Sequence, residues 1–370
     1  MSYTQAVNYA LSIKQCANLI ATIGKFNSVL VQGEMGIGKT AILWLLAKMY
    51  PDHIPIYFDG TTKDVGDMAI PMFATIGDDG VVRYATNEEL GLHLGKPVIL
   101  MIDEFGKCMP SVKNALAQLI LERSLFGKKL HPDSFVFATT NLAVEGLGDE
   151  LRAHIRDRIT TVNMRKSDNM EAIEYGIEHD FDPALLAWYK DTPQLFHSFQ
   201  DYKSDSVKGG YNYNENPYIN FPNDPSRIAC FTPRGGERAN NILKQRDLLD
   251  DATLTASLIG TIGARAALDL MAYVKLGSEM PSPEEIKTDP LTAKIPTSPG
   301  AICMVVYRAL SIIDRESVKP WMAYLNRLPK EVQGLFVNGV RGKDYSKRDI
   351  VVNTKEYQDW CLANNYAISV

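Results

Sequence analysis

Apolar positions in the first half of the chain fall in short runs separated by segments of helical period. Ser28 to Gln32 is a brief β-branched run that enters a glycine-rich turn, and from Thr40 the apolar residues recur as in a helix until Pro51 stops them. Ile54 to Phe58 predicts a second strand. Pro97 to Ile102 is apolar at every position, as expected of a strand inside a parallel sheet, and Val112 to Arg123 has helical spacing. Ser134 to Thr140 and Ile159 to Met164 predict two further strands. Five strands alternating with helices predict a five-stranded parallel sheet with helices on both faces.

Two segments break this alternation. Ala69 to Tyr84 places two short strands around Asp78-Asp79-Gly80, a hairpin signal, and Leu125 to Asp133 forms a second turn; both should project from the core. After Lys166 the pattern is helical over Met170–His179, Pro183–Tyr189, Glu237–Asp250, Ala252–Leu276 and Pro299–Asp314. Residues 201–225 are irregular and carry Tyr202, Tyr211, Tyr213 and Tyr218, which suits a surface insertion or an aromatic loop that touches a partner. The pattern predicts an α/β domain over 1–166, a helical domain over 167–315 with the insertion 201–225, and a C-terminal extension over 316–370.

Length and charge narrow the function classes. The 370 residues are 45% hydrophobic and 22% charged, the balance of a globular chain rather than a disordered or rod-like one. With 39 Lys+Arg against 44 Asp+Glu, the net charge is -5, so no global basic field exists to hold nucleic acid or an anionic membrane. Cys16, Cys108, Cys230, Cys303 and Cys361 are too scattered for a disulfide framework or a zinc site. No signal segment and no apolar run of membrane-spanning length is visible, so the expected location is the cytoplasm.

The chemistry concentrates in a few places. Gly33-Glu34-Met35-Gly36-Ile37-Gly38-Lys39-Thr40 is a complete phosphate-binding loop, placed after a strand and at the start of a helix. Its glycines let backbone N–H groups curl around phosphates, Lys39 brings a cation to the β- and γ-phosphates, and Thr40 offers a hydroxyl to Mg²⁺. The apolar strand ending at Ile102 runs into Asp103 and Glu104, of which Asp103 suits the metal and its water shell and Glu104 suits the attacking water. Asn141 closes the Ser134 strand; it either orients that water or caps a turn. Arg234 stands before a helix, either to reach the nucleotide or as a surface residue. Arg152, Arg156 and Arg158 crowd one stretch, either as a solvated turn or as a finger offered to phosphate on a neighbouring subunit, with Arg158 the first choice and Arg156 the second.

These motifs, in this order over about residues 20 to 250, resemble the AAA+ ATPase superfamily, and within it the MoxR-like branch with two inserted hairpins, including forms common in phages. The resemblance implies a P-loop NTPase fold followed by a helical lid, with ATP and Mg²⁺ as cofactors. It makes residues 33–40 the Walker A motif, Asp103 and Glu104 Walker B, Asn141 sensor 1, Arg158 the arginine finger and Arg234 sensor 2. It also implies a homo-oligomeric ring of six that remodels a protein client, with an adaptor that often carries a von Willebrand A-type domain, and no membrane partner. Departures are the Arg-Asp-Arg-Ile reading at 156–159, where relatives have Arg-Phe, the loop 201–225, and the tail after 315. Two other functions stay open: a nucleic-acid motor, favoured by Lys128 and Lys129 on the second hairpin, and a nucleotide-gated binding module with slow hydrolysis.

Overall fold

The computed structural model describes residues 9–76, 79–142, 157–202, 215–222 and 228–364, and the chain divides into two compact units, 1–166 and 167–370. The first unit runs β1 (Ala10–Leu11), α1 (Ile13–Ile23), β2 (Val29–Gln32), α2 (Ala41–Met49), β3 (Ile54–Asp59), α3 (Val65–Met68), β4 (Ala69–Ile76), β5 (Asp79–Thr86), β6 (Val98–Asp103), α4 (Pro110–Glu122), β7 (Ser124–Leu125), β8 (Lys128–Lys129), β9 (Phe135–Thr140) and β10 (Thr160–Met164). Six strands form one parallel sheet in the order β1-β10-β2-β9-β6-β3. The sheet therefore has one strand more than the five expected. The addition is the two-residue β1, too short to leave a periodic signal, which pairs Ala10 with Asn163 and Leu11 with Met164.

Strand alternation sorts the sheet's side chains into two cores. Val29, Val31, Ile99, Met101, Phe135 and Phe137 pack with α1 and α2, whereas Leu30, Leu100, Ile102, Val136 and Ala138 pack with α4. Every residue of β6 and β9 is buried, which is why both strands are apolar almost throughout. Both hairpins form. β4 pairs antiparallel with β5, β7 pairs with β8, and the two are joined by a Tyr84–Phe126 ring stack with centroids 5.0 Å apart.

The second unit is helical: α5 (Asn169–Glu178), α6 (Pro183–Asp191), α7 (Pro233–Leu243), α8 (Asp251–Ile262), α9 (Ala264–Leu276), α10 (Pro283–Thr288), α11 (Pro299–Ile312), α12 (Val318–Leu325), α13 (Lys330–Arg341), α14 (Arg348–Val352) and α15 (Lys355–Ala363). The single helix expected over 252–276 is two, because Gly263 adopts φ +88 and a side chain there would strike the Ala229 carbonyl at 2.4 Å. Residues 316–364 are no separate appendage: Trp321, Phe336 and Trp360 share one core with Trp188 and Tyr307, and Gly339 sits directly against Leu310. Part of the tyrosine-rich stretch is anchored too, since Tyr218 donates to Asp269 at 2.6 Å and Ile219 and Phe221 are buried. Residues 203–214, with Tyr211 and Tyr213, lie outside the described residues. No helix among the described residues is long and apolar enough to cross a membrane.

Candidate phosphate-binding site

The sheet order sets the site. β9 lies between β2 and β6, so the loop leaving β2, the carboxylates ending β6 and the asparagine following β9 meet at the C-terminal ends of three adjacent strands. Gln32 pairs with Thr140, and Gly33 then donates its N–H to the Thr140 carbonyl at 3.2 Å.

The loop's geometry depends on its glycines. Gly36 and Gly38 have φ of +73 and +93, values that glycine adopts without a steric penalty. A side chain at Gly33 would meet Ile37 Cδ1 at 2.6 Å and the Met164 carbonyl at 3.0 Å. Ile37 itself is buried in the core beside α2 and pins the loop from below. Glu34 points its carboxylate to Lys166 at 3.4 Å, and both residues are buried. Met35 is exposed at the loop's outer edge.

Lys39 is buried, and its ammonium donates to the carbonyls of Gly33 and Glu34 at 2.9 and 2.8 Å and to Asn141 Oδ1 at 2.7 Å. Asn141, also buried, donates Nδ2 to Glu104 Oε1 at 3.0 Å. The asparagine thus bridges the loop cation and the carboxylate. Glu104 has φ +52 and ψ +36, a left-handed conformation rare for a side chain with a Cβ, and its other oxygen pairs with Lys107 Nζ at 3.0 Å. The Cys108 thiol points at the Glu104 carbonyl from 3.7 Å, and burial pushes that thiol up to about 11. Asp103, the last residue of β6, accepts from Tyr57 Oη at 2.9 Å and from the Thr139 hydroxyl.

The donor set fits a magnesium nucleotide. Among the described residues, the backbone N–H groups of Gly36, Ile37, Gly38 and Thr40 donate to no protein acceptor, and the Thr40 hydroxyl does not cap α2 although it stands at the cap position. Four unclaimed amides at a helix start, with a lysine among them, form an anion cradle. The uncommitted hydroxyl of Thr40 and the carboxylate of Asp103 are hard oxygen donors of the kind Mg²⁺ takes.

The structure brings together residues 33–40, Asp103, Glu104 and Asn141. Arg158 is exposed in the turn before β10, and Arg234 is exposed in the first turn of α7, in the helical unit. Arg152 and Arg156 lie outside the described residues. Three contributors had no motif to announce them: Tyr57, Lys107 and Lys166 each reach the site through strand pairing or a turn.

No family profile matches the chain, and no curated protein matches it. Solved structures to which the chain is similar include RuvB proteins of Thermotoga maritima. One, titled a Holliday junction branch migration motor, is 19% identical over 75% of this chain and 74% of its own, with a TM-score of 0.35. A point mutant of RuvB is 15% identical over 95% of this chain and 86% of its own, with a TM-score of 0.37. The chain's own strand order and loop sequence make the fold a parallel α/β sheet with a phosphate-loop sequence between β2 and α2, followed by a helical region.

Proposed function

We propose that this chain is a Mg²⁺-dependent ATPase of the AAA+ type, of the MoxR-like branch, which acts as a ring on a protein client. The observation that carries the ATPase reading is the bridge from Lys39 through Asn141 to Glu104, laid across three neighbouring strands beside Asp103. The unclaimed amides of the loop hold the phosphates, and Lys39 exchanges its carbonyl partners for β- and γ-phosphate oxygens. Thr40 and Asp103 hold Mg²⁺, which when bound neutralises charge on the phosphate chain. Glu104 accepts the proton of the attacking water, and Asn141, already in contact with Glu104, orients that water. Hydrolysis adds water across the terminal phosphoanhydride, releasing ADP and phosphate. Arg158, or Arg156, supplies the cation from a neighbouring copy, and Arg234 supplies a second contact.

The protein-client reading is supported by the first hairpin. Ile70, Met72, Phe73, Ile76 and Val82 are all exposed, with Phe73 at 93%, and apolar side chains on both faces of a two-stranded ribbon suit an apolar polypeptide. A nucleic-acid motor is the second reading, supported by Lys128 and Lys129, both exposed on the second hairpin. The test is turnover of the purified chain with unfolded polypeptide, with single- and double-stranded DNA, and alone. Stimulation by polypeptide is expected, and salt-sensitive stimulation by DNA would replace the client reading with the motor. No phosphate release under any condition, with wild type and Glu104→Gln alike, would leave a nucleotide-gated binding module.

A further inference from the structure

We propose that Tyr57 is a positioning residue for metal binding: with Thr139 it clamps the Asp103 carboxylate in the orientation the magnesium site needs. This rests on the reading of Asp103 as the metal-side carboxylate. Tyr57 lies on β3, the edge strand, in register with Met101, while Asp59 is in register with Asp103. Period-2 alternation puts Tyr57, Met101 and Asp103 on one face of the sheet, the face covered by α2 and the phosphate loop, and sends Phe58 and Ile102 to the opposite core. The diagonal reach from Tyr57 to Asp103 is short enough for the phenol to donate to Oδ2 at 2.9 Å. From the other side the fully buried Thr139 donates its hydroxyl to Oδ1.

A carboxylate has about four lone-pair positions. Two donors on different oxygens, from the two strands that flank β6, stop it rotating about Cβ–Cγ and leave one acceptor position on each oxygen for metal-bound water. Hydrogen bonds to an ionised acceptor are the stronger kind, and groups that orient a ligand in this way tune metal affinity. Tyr57 is 46% exposed, so packing alone gives no reason for a phenol at this edge position; a hydroxyl aimed at Asp103 does.

The test is affinity for a fluorescent ADP analogue, measured with excess Mg²⁺ and again in EDTA, together with thermal melting. The ratio of the two dissociation constants reports metal binding without turnover. In Tyr57→Phe the Mg²⁺-dependent gain in affinity should fall roughly 10-fold, with affinity in EDTA and the melting temperature as in wild type. Thr139→Val should lose the gain as well, and Thr139→Ser, which keeps the hydroxyl, should restore it. A wild-type ratio in Tyr57→Phe overturns the proposal. Asp103→Asn separates the two levels: if it loses the Mg²⁺-dependent gain while Tyr57→Phe keeps it, only the role of Tyr57 fails, and if it too keeps the gain, the reading of Asp103 fails.

Discussion

The phosphate site and the β4–β5 hairpin belong to the same unit and invert each other's chemistry. At the site, Lys39, Glu34 and Asp103 are buried, and each has partners within the chain: Lys39 with Asn141, Glu34 with Lys166, Asp103 with Tyr57 and Thr139. On the hairpin, large apolar side chains stand in the open, and among them only Tyr84 has a described ring partner, Phe126. Buried polarity is costly unless satisfied, so a site rich in it must be built with care and is kept for chemistry. Exposed apolar surface contributes nothing to the chain's own stability and has value only when something outside covers it. In the function proposed above, the contrast assigns chemistry to the buried site and recognition to the exposed hairpin.

The sharpest way to break this comparison is at the buried ion pair. Lys166→Ala removes the ammonium paired with the buried Glu34 carboxylate, and should lower unfolding free energy by about 3–5 kcal/mol; urea denaturation of wild type and variant measures it. Apolar residues supply the next test. Leu100→Ala, in the fully buried β6, should cost about 2–5 kcal/mol, whereas Phe73→Ser on the hairpin should stay within about 0.5 kcal/mol. Equal costs would mean that Phe73 is covered within the chain. Lys39→Ala should weaken ATP binding by about 100-fold or more, read by titration with a fluorescent nucleotide, while the fold persists.

The smallest effect concerns pH. Burial pushes the Cys16 and Cys108 thiols up to about 11 from an ordinary value of 9.0. Because the folded values lie above the unfolded one, their contribution to stability is fully present below pH 9.0 and is lost as pH rises towards about 11. Denaturation midpoints should therefore fall over that window. A Cys16→Ala, Cys108→Ala double variant should show a shallower fall.

What could be read from the sequence follows the range over which each signal acts. The strands β2, β3, β6, β9 and β10 are legible because local apolar runs of strand length rarely mean anything else beside glycine and proline punctuation. The loop at 33–40 is legible because its backbone geometry demands glycine at Gly36 and Gly38. The sequence leaves two roles open for Asn141, because its place beside Lys39 and Glu104 depends on strand order. Tyr57 and Lys166 act across strand pairings and turns that no local pattern records. The break at Gly263 was hidden because apolar spacing continues across it, and the union of residues 316–364 with the earlier helices rests on contacts such as Gly339 with Leu310.

In the proposed reaction Glu104 takes the proton of the attacking water while Lys39 and the loop hold the nucleotide. Single-turnover hydrolysis of prebound ATP by wild type and Glu104→Gln, with ATP affinity measured on the same samples, tests it most directly. The rate in Glu104→Gln should be lower by about 100-fold or more, with affinity unchanged. Equal single-turnover rates in the two proteins would contradict it.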